Sequence, residues 1–245
     1  EITHLSAPAQ VLVLREILQH DCAGLPAKDL AQRLNYSPMT ITRAIKELTD
    51  QHLATAEKVG RAKYLSFSAA GRALWEVAQP MLQSPVAKRI WMSWSDEETW
   101  KGKFKGRIAG ESALAHYTEL ANTGVIQWAL TSVDWSELSK KKSVRLLETR
   151  PTKVERPFSN GREEVELEIW TYRPDAITPD KPCVDPLSLW LSLASNTDER
   201  VEMARESLLE QVWSVLPWKK ALIYSESISK TFSKATYSLA EWLAT

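Results

Sequence analysis

The 245-residue sequence predicts an α+β fold built in two parts, a small N-terminal module and a mixed α/β second domain. Three observations lead there. Residues 1–82 carry apolar side chains first at helical spacing, then in strand-like alternation, then at helical spacing again. Residues 107–245 mix helical stripes with alternating segments. Between them, Gln83-Ser84-Pro85 and the polar stretch Ser93–Lys105 mark 83–106 as a bridge. Hydrophobic residues make up 44% and charged residues 25%, which excludes a disordered chain, a collagen and a long coiled coil. Gly is scarce at 8, in keeping with a helix-rich protein. The 11 Trp residues should supply much of the packing.

In the module, PAQVLVLREILQ (8–19) places Val11, Leu12, Leu14, Ile17 and Leu18 near helical spacing. AKDLAQRLN follows with Ala27, Leu30, Ala31 and Leu34 on one side, ended by Asn35-Tyr36. Ser37 reads as an N-cap and Pro38 as the first helical residue of a third helix. Its stripe is Ile41, Ala44, Ile45 and Leu48. LATAEK and KYLSFS suit two strands joined through Gly60. A last helix over 69–82 would bury Leu74, Val77 and Met81. Three helices, a hairpin and a helix are the order of a winged helix-turn-helix.

Charge supports contact with a polyanion. The chain is neutral overall, but 27–63 holds seven Lys and Arg against four Asp and Glu. A short helix presented by a turn fits the major groove, and its N-terminal side chains reach base edges. Here those are Met39, Thr40, Thr42 and Arg43, with Arg43 able to chelate a guanine. Lys46 lies a turn further on, towards phosphate, and Ser37 with the N–H groups behind it suits a phosphate at the helix start. Lys58, Arg61 and Lys63 put positive charge on the hairpin. The partner expected is double-stranded operator DNA; the competing reading is a protein-contact module whose charges only solvate a face.

In the second part, IAGESALAHYTELA (108–121) reads as a helix, and GVIQWALT (124–131) and SVRLLE (143–148) as strands. EEVELEIWTY alternates Val165, Leu167 and Ile169 with Glu164, Glu166 and Glu168, predicting a half-buried strand with a solvated acidic face. Asp185-Pro186 starts a buried helix through Leu187, Leu189, Trp190, Leu191 and Leu193. Val201, Ala204, Leu208, Leu209 and Val212 form the stripe of the next, with Glu202 and Arg205 placed to pair outside it. A further amphipathic helix is expected near 231–243. Trp91, Trp94 and Trp100 in the bridge read as packing anchors; a patch for a partner or for stacked bases is the alternative.

Chemistry is sparse. His4, His20, His52 and His116 are dispersed, with no metal-ligand spacing. No P-loop, G-x-S-x-G or G-x-G-x-x-G occurs. Asp198-Glu199-Arg200 reads as a helix cap. No catalytic residue, metal or cofactor is expected, and the chain is read as a non-enzyme. Cys22 and Cys183 read as buried thiols of a reducing, cytoplasmic setting. Neither a membrane span nor a secretory leader is expected.

The run "LPAKDLAQRLNYSPMTITRAIKELTDQHLATAEKVGRAKYLSFSAAGRAL" resembles MarR-type winged helix-turn-helix regulators, over about 50 residues. "RIAGESALAHYTEL" (107–120) and "VDPLSLWLSLASNTDERVEMARESLLEQV" (184–212) resemble the C-terminal domain of AbiE-type antitoxins. That resemblance implies a DNA-binding repressor of its own operon that is also the antitoxin of a type IV toxin–antitoxin system. It further implies a functional link to a nucleotidyltransferase-like toxin. The alternative is a small-molecule-responsive winged-helix transcription regulator, its Trp-rich second domain enclosing the effector. Homo-oligomerisation is left open.

Overall fold

The computed structural model describes residues 3–60, 62–94, 105–121, 125–142, 144–149 and 163–224. The chain divides into two compact units. The first holds Glu1–Gln83 and, from the C-terminal part, the segment starting at Trp213; the second holds Ser84–Val212.

The first unit opens with α1 (Ala7–Gln19), α2 (Ala27–Leu34) and α3 (Pro38–Asp50), continues through a hairpin of β1 (Ala54–Val59) and β2 (Ala62–Phe67), and closes with α4 (Gly71–Ala78) and a 3-10 turn, Gln79–Met81. α1 is the central helix. Residues from Ala9 to Leu14 are all buried, so it has no solvent face there, where the sequence suggested a stripe. Its two buried polar side chains are both satisfied. Gln10 exchanges two hydrogen bonds with the Gln83 backbone, at 2.9 and 3.0 Å. Glu16 accepts from the N–H groups of Cys22 and Ala23, both at 2.9 Å, and so folds the chain back after the helix. Beside that turn Arg15 grips Asp21 at 2.7 Å, and Arg33 of α2 joins at 3.0 Å. Burial alone would raise the Asp21 carboxyl, but the two guanidiniums outweigh it and hold it below its usual range.

α4 departs from its sequence reading. Leu74, Trp75 and Ala78 face the core, while Val77 is 54% exposed. The Gly71 start (φ 56°) and the shift to a 3-10 turn at Pro80 set a different phase from the one extrapolated across 69–82. Trp75 meets Trp213 within the same unit, ring centroids 6.0 Å apart and tilted by 54°.

The second unit is a five-stranded mixed sheet with helices. Its elements are β3 (Val86–Trp94), β4 (Arg107–Ile108), α5 (Gly110–Tyr117), β5 (Ile126–Thr131), α6 (Ser132–Leu138), β6 (Val144–Leu146), β7 (Glu163–Trp170), α7 (Pro186–Ser192) and the start of α8 (Glu199–Tyr224). Strand order is β4-β5-β7-β3-β6, with β5 and β7 parallel and the other pairs antiparallel. The expected bridge is corrected here: its residues 86–94 are β3, paired along nearly all of β7. Trp100 and the side chain of Trp94 lie outside the described residues, as do the helix expected at 231–243 and part of the 83–106 stretch.

One sheet face is apolar. Ile90, Met92, Leu130, Val165, Leu167 and Ile169 pack there with Leu138 of α6. The other face overturns the expectation of a solvated acidic surface: Glu166 and Glu168 are 2% and 1% exposed. α5 and the end of α7 cover this face. Gly110 and Glu111 close on Gln127 of β5, and Arg89 of β3 reaches the Ser192 carbonyl at 3.2 Å. Period-two alternation marks two chemically different faces, but a polar face can be buried if its charges find partners.

α7 begins as expected, with Asp185 accepting from Ser188 N–H at 2.8 Å. Asp198 likewise caps α8, accepting from Arg200 N–H at 2.9 Å. The Glu202–Arg205 pair does not form as the sequence suggested. Arg205 instead donates to the Trp190 carbonyl at 3.0 Å and lies 3.8 Å over the Trp190 ring, since a flat guanidinium covers an aromatic face well.

Candidate nucleic-acid interface

The α2–α3 turn positions the site. Asn35 ends α2 in the left-handed region (φ 55°), a conformation that asparagine tolerates, and its N–H returns to the α2 carbonyls. Ser37 then caps α3: its Oγ accepts from Thr40 N–H at 3.1 Å and lies 2.8 Å from Thr40 Oγ1. Pro38 takes the first helical position. Ile41, Ala44, Ile45 and Leu48 are buried, which turns Met39, Thr42, Arg43 and Lys46 outward along one stripe. Met39 is 62% exposed.

The charges along α3 are sorted by their partners. Glu47 leans to the N-terminal side and accepts from Ser6 N–H at 2.6 Å, away from the stripe. Lys46 pairs with Asp50 at 2.6 Å in a solvent-exposed bridge, a contact weak enough to be exchanged for a phosphate. Arg43 has no hydrogen bond or ion pair among the described residues, so its five donors stay available. Thr42 donates its hydroxyl to the Pro38 carbonyl at 2.8 Å and stays exposed.

The hairpin is a regular antiparallel pair, closed through Gly60 at φ 62°. Gly24 N–H and Leu65 N–H tie β2 to residues 24–26 at 2.7 and 3.2 Å, anchoring the hairpin beside α2. Lys58 and Lys63 are exposed and directly opposite each other. Like charges in that position destabilise a hairpin, and an anion laid between them relieves the repulsion. Arg61 lies outside the described residues.

Of the nine residues read from the sequence, six therefore gather on α3 and its cap and two on the hairpin. Ser37 and Thr40 build the helix start; Met39, Thr42, Arg43 and Lys46 form the outward stripe. What sequence reading missed lies in the second unit, where Arg89, Glu111, Gln127, Glu166, Glu168 and Asn196 line one cavity. The signal was the alternating glutamates, which were assigned to solvent.

Residues 10–54 match the family model for winged helix-turn-helix DNA-binding domains, a span running from α1 to the start of β1. The first unit thus contains a DNA-binding domain of that class, and the chain is a DNA-binding transcription regulator. Comparison with curated proteins and with solved structures gives no match. Among the described residues no helix is long and apolar enough to cross a membrane.

Proposed function

We propose that the protein is a sequence-specific repressor that acts on its own operon by binding rather than by catalysis. In this reading α3 enters the major groove, Arg43 reads a guanine, and Lys58 and Lys63 hold the flanking backbone. The observation that carries it is the unpaired Arg43 at the centre of the exposed α3 stripe. Gel-shift titration of the full chain against DNA upstream of its own gene tests it. Binding at least roughly 1,000-fold tighter than to scrambled DNA is expected. Equal affinity for both would overturn it.

A second reading, control by a small molecule, is favoured by the cavity in the second unit. The antitoxin role rests on the resemblance of 107–120 and 184–212, segments that form α5 with its flanks, α7 and the first half of α8. Growth rescue against a neighbouring nucleotidyltransferase-like toxin is its test, and no rescue by the full chain would end it.

A further inference from the structure

The head of α3 holds one large apolar side chain out in solvent. Met39, the second residue of the helix, is 62% exposed. Single exposed apolar residues are common on protein surfaces, so exposure alone decides nothing. Position does. Met39 follows the Ser37 cap and stands four residues before Arg43, on the same helix face.

The polar groups around it already have partners. Ser37 Oγ accepts from Thr40 N–H at 3.1 Å and lies 2.8 Å from Thr40 Oγ1. Thr42 donates to the Pro38 carbonyl at 2.8 Å, and Lys46 pairs with Asp50 at 2.6 Å. Within the stripe of Met39, Thr42, Arg43 and Lys46, Met39 and Arg43 are therefore the two side chains that give up no hydrogen bond or ion pair among the described residues on meeting a ligand. One is an apolar thioether and the other a five-donor fork.

These two groups select different bases. A thioether set against a base N–H or C=O strips its water and returns almost nothing. Thymine is the base whose major-groove edge carries an apolar group, the C5-methyl. Contact there takes apolar surface on both partners out of water. Four residues rise about 6 Å along an α-helix, against about 3.4 Å per base step, so the two side chains reach neighbouring bases. We propose that Met39 reads a thymine by packing on its C5-methyl, one or two base steps from the guanine read by Arg43. The inference rests on the repressor reading and adds a second base that its recognition helix selects.

Replacing thymine by deoxyuridine tests it, since that change removes the methyl and leaves the hydrogen-bonding edge intact. The full chain first selects its preferred duplex from a randomised pool. Each thymine of that duplex is then replaced in turn, and affinity is measured by fluorescence anisotropy. One replacement near a guanine should weaken the parent about fourfold, the worth of one buried methyl group. Met39→Ala, at an exposed position and with an unchanged urea midpoint, should bind the thymine duplex more weakly by a similar factor and be indifferent to that replacement. Lys58→Ala, weakened through a phosphate contact, should keep the full response. Three results would each overturn the inference: no replacement weakens the parent, folded Met39→Ala responds as the parent does, or Lys58→Ala loses the response as well. All three leave the repressor reading standing. A pool that yields no preferred duplex removes both.

Discussion

Lys58 and Lys63 are cross-strand partners in the β1–β2 hairpin, both exposed and neither in an ion pair among the described residues. Isolated, that pair costs the hairpin a few tenths to about 1 kcal/mol. In the proposed complex the pair would clamp a phosphate. Lys58→Ala and Lys63→Ala should each flatten the salt dependence of binding by about one unit of slope, alike on specific and random DNA. Each should also leave the unfolding midpoint unchanged or slightly higher. Filter binding across a salt series checks the first expectation and urea unfolding the second; unchanged slopes in both variants would remove the hairpin from the interface.

Arg43→Ala should behave differently. Removing a base contact costs about 1–3 kcal/mol on the preferred site and broadens preference at one position, with little effect on random DNA. Selection from a randomised pool by parent and variant measures this. Identical preferred sequences would show that Arg43 does not read a base.

Gly110 has φ 54°, and a Cβ there would come within 2.7 Å of Gln127 Cδ. Gly110→Ala therefore combines backbone strain with displacement of the side chain that holds Glu166. A loss of more than about 1 kcal/mol in the stability of the second unit is expected. An unaltered urea midpoint would contradict the close approach of α5 to β5.

Burial raises the Asp185 carboxyl to about 6, against the pull of the Ser188 N–H and side chain. The folded state then holds the proton more tightly than the unfolded chain does. Asp185 consequently favours folding at low pH, and stability falls as pH rises from about 4 to 6. Asp185→Asn keeps a capping oxygen but cannot ionise. Relative to the parent it should gain on the order of 2–3 kcal/mol between pH 4 and pH 7.5. Chemical denaturation at the two pH values decides the matter: a parallel pH dependence in both proteins would show that Asp185 does not titrate in this way.

The module was legible because its signals are local. Ser37-Pro38, the stripe Ile41, Ala44, Ile45, Leu48 and the Gly60 turn depend on neighbours within a few residues, and capping and periodicity act at that range. The outward set on α3 then follows by subtraction, since whatever is off the stripe faces out.

The sequence by itself therefore determined the winged helix, the order of its elements and the identity of its exposed cations. Only the tertiary structure decided that β3 lies in the stretch read as a bridge after residue 83, and that Glu166 and Glu168 face inward. Alternation along β7 states that its two faces differ, not which of them is covered. That choice is made by α5 and α7, distant in sequence, and by Arg89, which stands opposite Glu168 in the register that β3 and β7 keep from Lys88 to Trp94, past a shift after Val86. Register is a long-range property of the sheet, and it turned a row of surface-like glutamates into the lining of a cavity.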